Sequence, residues 1–245
     1  MKQVILCAHR GLDDSAPENT MAAFDGALAK EMAIELDIQR TADDHLVVVH
    51  DPTVDRTTNG SGEIAAMSLA EIKALDAGSW YGSQFAGQRV LTLDEASELV
   101  SNRRLVSPSI ALDVKRLAPG TIGMIRDVLE AHDLIEDVII IGAVLRSADV
   151  RRQFRETSSR FQCAVAAESP EEIDQALDDV YSTWVYVRFV PAKQDVVQVN
   201  RGGKRMFVSG SEVALDINRA YEAWKSGADV VLTWHPTKLS GLVRS

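Results

Sequence analysis

The chain of 245 residues is 46% hydrophobic and 25% charged, ordinary proportions for a globular protein with a sizeable core, and its length favours one domain. A formal charge of −10 excludes a general nucleic-acid or anionic-membrane surface, since both reward clustered Lys and Arg. It leaves open a small phosphate-bearing ligand, because a few basic groups inside a pocket can outweigh the global field.

In chain order, residues 3–8 are predicted as a first strand. This apolar run is too short for a signal-peptide core, and no later stretch approaches membrane-spanning length, so the expectation is a cytoplasmic protein without membrane insertion. Ser15-Ala16-Pro17-Glu18 offers a start for a helix over 19–30. A second strand follows at 33–40, and 46–50 is expected to return antiparallel beside its end through a turn at 42–45. The interval 51–90 breaks the rhythm with a polar, glycine-rich stretch and short helical patterns, one opened by the capping box Ser68-Leu69-Ala70-Glu71. A second capping box, Thr92-Leu93-Asp94-Glu95, restarts the outer helices. From residue 109 onward, strands at 109–115, 137–142, 162–166, 184–188, 204–208 and 229–233 recur roughly every 25 residues. They alternate with helical patterns such as 121–132 and 147–156, and Ser169-Pro170-Glu171-Glu172 marks a further helix start. Cys7 and Cys163 lie in apolar runs and read as buried thiols.

Eight strands, each followed by a helix, point to an α/β fold in which a parallel sheet closes on itself: a (β/α)8 TIM barrel. The expected organisation is one domain over 1–245, with 51–90 as a capping insertion between the second and third barrel strands. A doubly wound open sheet is the alternative, but no glycine-rich fingerprint follows the first strand.

Ile34-Glu35-Leu36-Asp37-Ile38-Gln39 is anomalous, because a parallel strand buried on both faces usually reads as continuously apolar. The period of two sends the isoleucines and Leu36 toward the helices and Glu35 and Asp37 into the barrel, about 7 Å apart along the strand. Ile110-Ala111-Leu112-Asp113-Val114-Lys115 repeats the pattern and turns Asp113 and Lys115 inward. Three carboxylates on adjacent strands repel and desolvate poorly unless a cation neutralises them, and their hard oxygens suit Mg²⁺ or Ca²⁺. The competing reading is a buried ion network in which Glu35 pairs with Lys115 or Arg10. His9, at the end of the first strand, stands where barrel enzymes place catalytic groups. His50 is expected opposite or near Asp37, so the two imidazoles form a candidate acid–base pair. His45 and His132 are expected on the surface.

Several ordered motifs carry a resemblance. They are His9-Arg10-Gly11, Ala16-Pro17-Glu18-Asn19-Thr20, Glu35-Leu36-Asp37, His50-Asp51-Pro52-Thr53, Asp55-Arg56-Thr57-Thr58-Asn59-Gly60-Ser61-Gly62 and Leu91-Thr92-Leu93-Asp94-Glu95. Through them the first hundred residues resemble the glycerophosphodiester phosphodiesterase family. The remainder is similar mainly in strand rhythm and in Gly227-Ala228-Asp229-Val230-Val231-Leu232-Thr233. The resemblance implies hydrolysis of a small-molecule glycerophosphodiester to glycerol 3-phosphate and an alcohol. It implies His9 and His50 as acid and base, Arg10 and Lys115 at the phosphate, and Glu35, Asp37 and Asp113 around one divalent cation. Asp113 stands where the family carries glutamate. Thr233-Trp234-His235-Pro236 and Met206-Phe207-Val208-Ser209-Gly210 also depart from the family pattern, changes expected to line the mouth. A phospholipase D-like lyase forming a cyclic phosphate, and a barrel that binds a phosphodiester without turnover, are the alternatives.

Overall fold

The computed structural model describes residues 3–244. Its strands are β1 (Ile5–Ala8), β2 (Ala33–Arg40), β3 (Leu46–Val48), β4 (Ile110–Val114), β5 (Val138–Ile141), β6 (Gln162–Ala167), β7 (Trp184–Val187), β8 (Arg205–Val208) and β9 (Val230–Thr233). Eight of them are parallel and run around a ring in the order β1-β9-β8-β7-β6-β5-β4-β2, which the β1–β2 pairing closes. β3 is the exception, hydrogen-bonded antiparallel to the end of β2. The helices are α1 (Met21–Leu28), α2 (Leu69–Ala74), α3 (Leu93–Arg103), α4 (Thr121–Ala131), α5 (Ala148–Thr157), α6 (Ile173–Asp178), α7 (Lys193–Arg201), α8 (Ser211–Ala214), α9 (Ile217–Ser226) and α10 (Pro236–Arg244). The structure is therefore the (β/α)8 barrel that the strand rhythm predicts.

The alternation along each strand sorts the side chains into two cores. Ile34, Leu36, Ile38, Ile110, Leu112 and Val114 pack outward under the helices. Cys7, Ala33, Ala111, Ile139, Trp184, Phe207 and Val230 fill the lower barrel interior. Following the same inward positions toward the C-terminal ends replaces apolar side chains with polar ones: Ala33 gives way to Glu35 and Asp37, and Ala111 to Asp113. The apolar lower layers supply the packing, and the upper layer is left for chemistry. Both cysteines are buried free thiols. Among the described residues, no helix is long and apolar enough to cross a membrane.

Both predicted capping boxes form, at Ser68–Glu71 and Thr92–Glu95. The first helix departs from expectation. It begins at Met21 because the Thr20 hydroxyl accepts from Ala23 N, while Asn19 sits at φ +57 and cannot continue a helix. Ser169 caps nothing with its side chain, and Pro170–Glu172 is a 3-10 turn leading into α6. The 51–90 segment builds its own apolar cluster from Val54, Ile64, Ile72, Ala77 and Val90 against Val47 and Val49 of the hairpin. His45 is exposed as expected. His132 is not free on the surface: its Nε2 lies 2.9 Å from Asp94 Oδ1, joining the end of α4 to the start of α3.

Candidate active site

The β2–β4 register pairs Glu35 with Ala111 and Asp37 with Asp113. That alignment sets Asp37 and Asp113 side by side, with Glu35 two residues below. Although Glu35 and Asp37 are one strand repeat apart, an oxygen from each of Glu35, Asp37 and Asp113 lies within 4.8 Å of the other two. Glu35 and Asp37 are only 3% and 1% exposed.

Burial, followed by the charges of Asp37 and Asp113, pushes the Glu35 carboxyl well above the ordinary range. Burial also raises Asp113, against the opposing pull of Lys115. For Asp37, burial alone would raise the carboxyl. Lys115, Arg10 and a 3.0 Å hydrogen bond from Asn19 Nδ2 outweigh it and hold the group low. Lys115 Nζ bridges Asp37 Oδ1 at 2.8 Å and Asp113 Oδ2 at 2.7 Å. Glu35 meets no side-chain cation in the described contacts; its Oε2 accepts from the backbone N–H of Arg10 at 3.0 Å. The buried-network reading therefore fails for Glu35: Lys115 and Arg10 pair with Asp37, and Lys115 with Asp113, which leaves the Glu35 carboxyl without a side-chain cation among the described residues.

Asp113 Oδ1 is buried with no hydrogen-bond partner. An orphaned carboxylate oxygen beside two more acids matches the donor set of a hard divalent cation. Gly142 keeps that oxygen in place: it adopts φ +116, and a Cβ there would fall 2.5 Å from Asp113 Oδ1 and 2.9 Å from Val114 O. Gly142→Ala is accordingly expected to destabilise the protein by about 1–3 kcal/mol and to displace Asp113, measured as a lowered urea midpoint.

His9 and Arg10 follow β1 directly. Arg10 is held at φ +50, unusual for a long side chain, with its carbonyl accepting from Asn19 N at 3.0 Å. This kink turns the guanidinium across the acids, with NH1 2.8 Å from Glu18 Oε1 and Nε 3.2 Å from Asp37 Oδ2. His9 Nδ1 lies 2.8 Å from Asp13 Oδ2. Burial, reinforced by Arg10, pushes the His9 imidazole down to about 3. Burial and the neighbouring Asp14 push the Asp13 carboxyl up to about 8.

β3 stops at Val48, and its register (Ile38 with Val48, Gln39 with Val47) brings Val49 level with Asp37. His50 thus lies near Asp37 as expected, one residue beyond direct pairing, where Gln39 Nε2 donates to its carbonyl at 3.1 Å. Its charge still acts on both His9 and Asp113, so the two histidines and the acids belong to one electrostatic cluster.

The structure adds groups that the sequence reading gave no role. His50 Nδ1 is 2.7 Å from Asp51 Oδ1. Arg56, from the insertion, donates to Asp51 Oδ2 at 2.6 Å and to both Glu18 oxygens at 2.6 and 2.9 Å. Arg56 therefore ties His50's carboxylate partner to the one that holds Arg10. Glu18, Asp51 and Arg56 were visible only as motif letters. Asp13 had no signal at all, lying in an irregular loop. Trp234 does more than line the mouth, because its ring stacks on His9 with centroids 4.3 Å apart and planes 14° from parallel.

Residues 9–207 match the profile of the Glycerophosphoryl diester phosphodiesterase family. A glycerophosphodiester phosphodiesterase from Caldanaerobacter subterraneus subsp. tengcongensis is 33% identical over 251 aligned positions, covering 100% of this chain and 99% of the relative. Among solved structures, a glycerophosphodiester phosphodiesterase from Agrobacterium tumefaciens superposes with a TM-score of 0.83 at 24% identity, covering 98% of this chain and 100% of that one. An Oleispira antarctica phosphodiesterase in complex with the product sn-glycerol-3-phosphate gives a TM-score of 0.82 at 24% identity, over 99% of this chain and 98% of its own. With an acidic cluster at the barrel mouth and a full-length relative of this identity, the chain belongs to the glycerophosphoryl diester phosphodiesterase family of enzymes.

Proposed function

We propose that the protein hydrolyses small-molecule glycerophosphodiesters to glycerol 3-phosphate and an alcohol, with a divalent cation, Mg²⁺ or Ca²⁺, held by Glu35, Asp37 and Asp113. The observation that carries this reading is the convergence of two buried carboxylates and a half-buried third, two histidines and Arg10 at one end of the barrel. When bound, the cation would neutralise phosphoryl oxygens and polarise the phosphorus for attack. Arg10 grips the phosphate through its planar fork, and Lys115, paired with Asp37 and Asp113, adds a point charge beside it. His9, kept neutral by its surroundings, takes the proton of the nucleophile. His50, oriented by Asp51, gives a proton to the leaving alkoxide.

This division of labour has a pH signature. When Asp13 is protonated it donates to His9 Nδ1, and Nε2 then carries a hydrogen and cannot act as base. When Asp13 ionises it accepts from Nδ1–H, which frees the Nε2 lone pair. Since Asp13 is pushed up to about 8, kcat is expected to rise with pH through about 8, and Asp13→Asn is expected to remove that limb. A pH–rate profile of the two proteins checks this, and an unchanged limb in the variant would exclude Asp13 as its source.

The activity itself is tested by enzymatic detection of glycerol 3-phosphate from glycerophosphocholine, glycerophosphoethanolamine and glycerophosphoglycerol. No release from any member of such a panel refutes the reading. A cyclic phosphate as end product would reassign the site to the lyase chemistry.

A further inference from the structure

Across the ring from β1, a cavity of about 210 Å³ opens at the C-terminal ends of β4 to β7. Asp113 bounds it on the β4 side, so it is continuous with the acidic cluster, and Arg146, Glu168 and Arg188 form its polar wall. Each reaches it for a local reason. Arg188 is two residues beyond Tyr186 and four beyond the interior Trp184, so the strand period turns it inward. Its stem lies against Gly210, where a Cβ would sit 3.0 Å from Arg188 Cβ. Arg146 comes from the turn after β5, and Glu168 follows β6.

Both guanidinium groups converge on a single carboxylate oxygen: Arg146 NH2 is 2.9 Å and Arg188 NH1 3.5 Å from Glu168 Oε1. Each guanidinium offers five N–H donors, so one shared oxygen leaves most of them available. The trio carries a net positive charge and a free carboxylate edge. Arg146 is 63% and Arg188 39% exposed in their side chains, and ion pairs this exposed add little to stability. Their concentration on the cavity wall is better matched to a ligand. The volume falls below the roughly 300–1,000 Å³ of pockets for drug-sized ligands, which with the charged wall favours a short polar group.

We propose that this cavity is the subsite for the alcohol portion of the diester and that it selects an alcohol bearing both a carboxylate and an ammonium group. The carboxylate bridges Arg146 and Arg188, whose planar forks match it, and the ammonium lies on Glu168. The proposal rests on the phosphodiesterase reading above and specifies the half of the substrate that reading leaves undefined.

Glycerophosphoserine and glycerophosphoethanolamine differ only by the carboxylate, and the ratio of their kcat/KM values isolates its recognition. The wild-type protein is expected to favour the serine ester by on the order of tenfold at low ionic strength, and less in high salt. In the Arg146→Gln/Arg188→Gln double variant the ratio is expected to fall to about one; a general loss of rate cancels in this quantity. Calorimetric titration of His9→Ala protein with the same two esters should show the same order of preference in Kd. A wild-type ratio near one, or a ratio unchanged in the double variant, overturns the proposal. Failure of both esters to yield glycerol 3-phosphate would instead remove the phosphodiesterase reading, and the calorimetric comparison would then decide the subsite alone.

Discussion

Replacing His9 or His50 with alanine is expected to lower kcat by on the order of 10²–10⁴-fold, because each removes one proton transfer from the transition state. KM should change little, since neither imidazole is assigned to grip the ground-state phosphate. The two losses should differ in kind. His50, as the donor to the departing alkoxide, matters most when the alcohol leaves poorly. With a p-nitrophenyl ester of glycerol phosphate, whose leaving group needs no proton, the His50→Ala defect should shrink by at least tenfold relative to a choline ester. The His9→Ala defect should persist with both. If the leaving group rescued His9→Ala instead, the acid and base assignments would be exchanged. Wild-type rates in both variants would refute the pair altogether.

Removing divalent cations with a chelator is expected to lower turnover by roughly 10³-fold, the equivalent of about 4 kcal/mol of transition-state charge stabilisation. The same site should register in stability. Without a cation, Lys115 pairs with Asp37 and Asp113 but not Glu35, and Asp113 Oδ1 has no partner. A cation at a hundredfold excess over its Kd stabilises the folded state by about 2.7 kcal/mol. For a chain of this size that is a rise in Tm of roughly 5–10 °C. Melting curves with chelator, Mg²⁺ and Ca²⁺ measure the shift and identify the preferred ion. Asp37→Asn should abolish the response. A melting temperature and rate indifferent to chelator would rule out the carboxylate cluster as a cation site.

The barrel was legible in the sequence because its strands are short, β-branched and evenly spaced, and because β2 and β4 alternate without interruption. The same alternation placed Glu35, Asp37 and Asp113 inside, since a strand leaves a side chain only two directions. Where the backbone departs from regular periods, the sequence lost resolution. Thr20, not Ser15, caps α1, because Asn19 in the left-handed region ends the preceding loop later than its proline implies. The sequence placed His50 opposite or near Asp37 and left the exact register open; the hairpin sets Val49 level with Asp37 and His50 one residue on. Trp234 meets His9 from more than 200 residues away in sequence, a contact that depends on β1 pairing with β9 around the closed ring. Local pattern carries no trace of such a contact.

On the proposed roles of His50 and Arg10, Arg56 would give the insertion a stake in catalysis without requiring it to touch substrate. The segment has a small apolar cluster of its own, outside the two cores of the barrel, so it is expected to open at a lower free energy than the ring. If the segment opens, Asp51 and Glu18 would lose their shared clamp, and the partners that hold His50 and Arg10 would loosen together. On those proposed roles, activity is then expected to be lost at a lower denaturant concentration than the fold of the barrel.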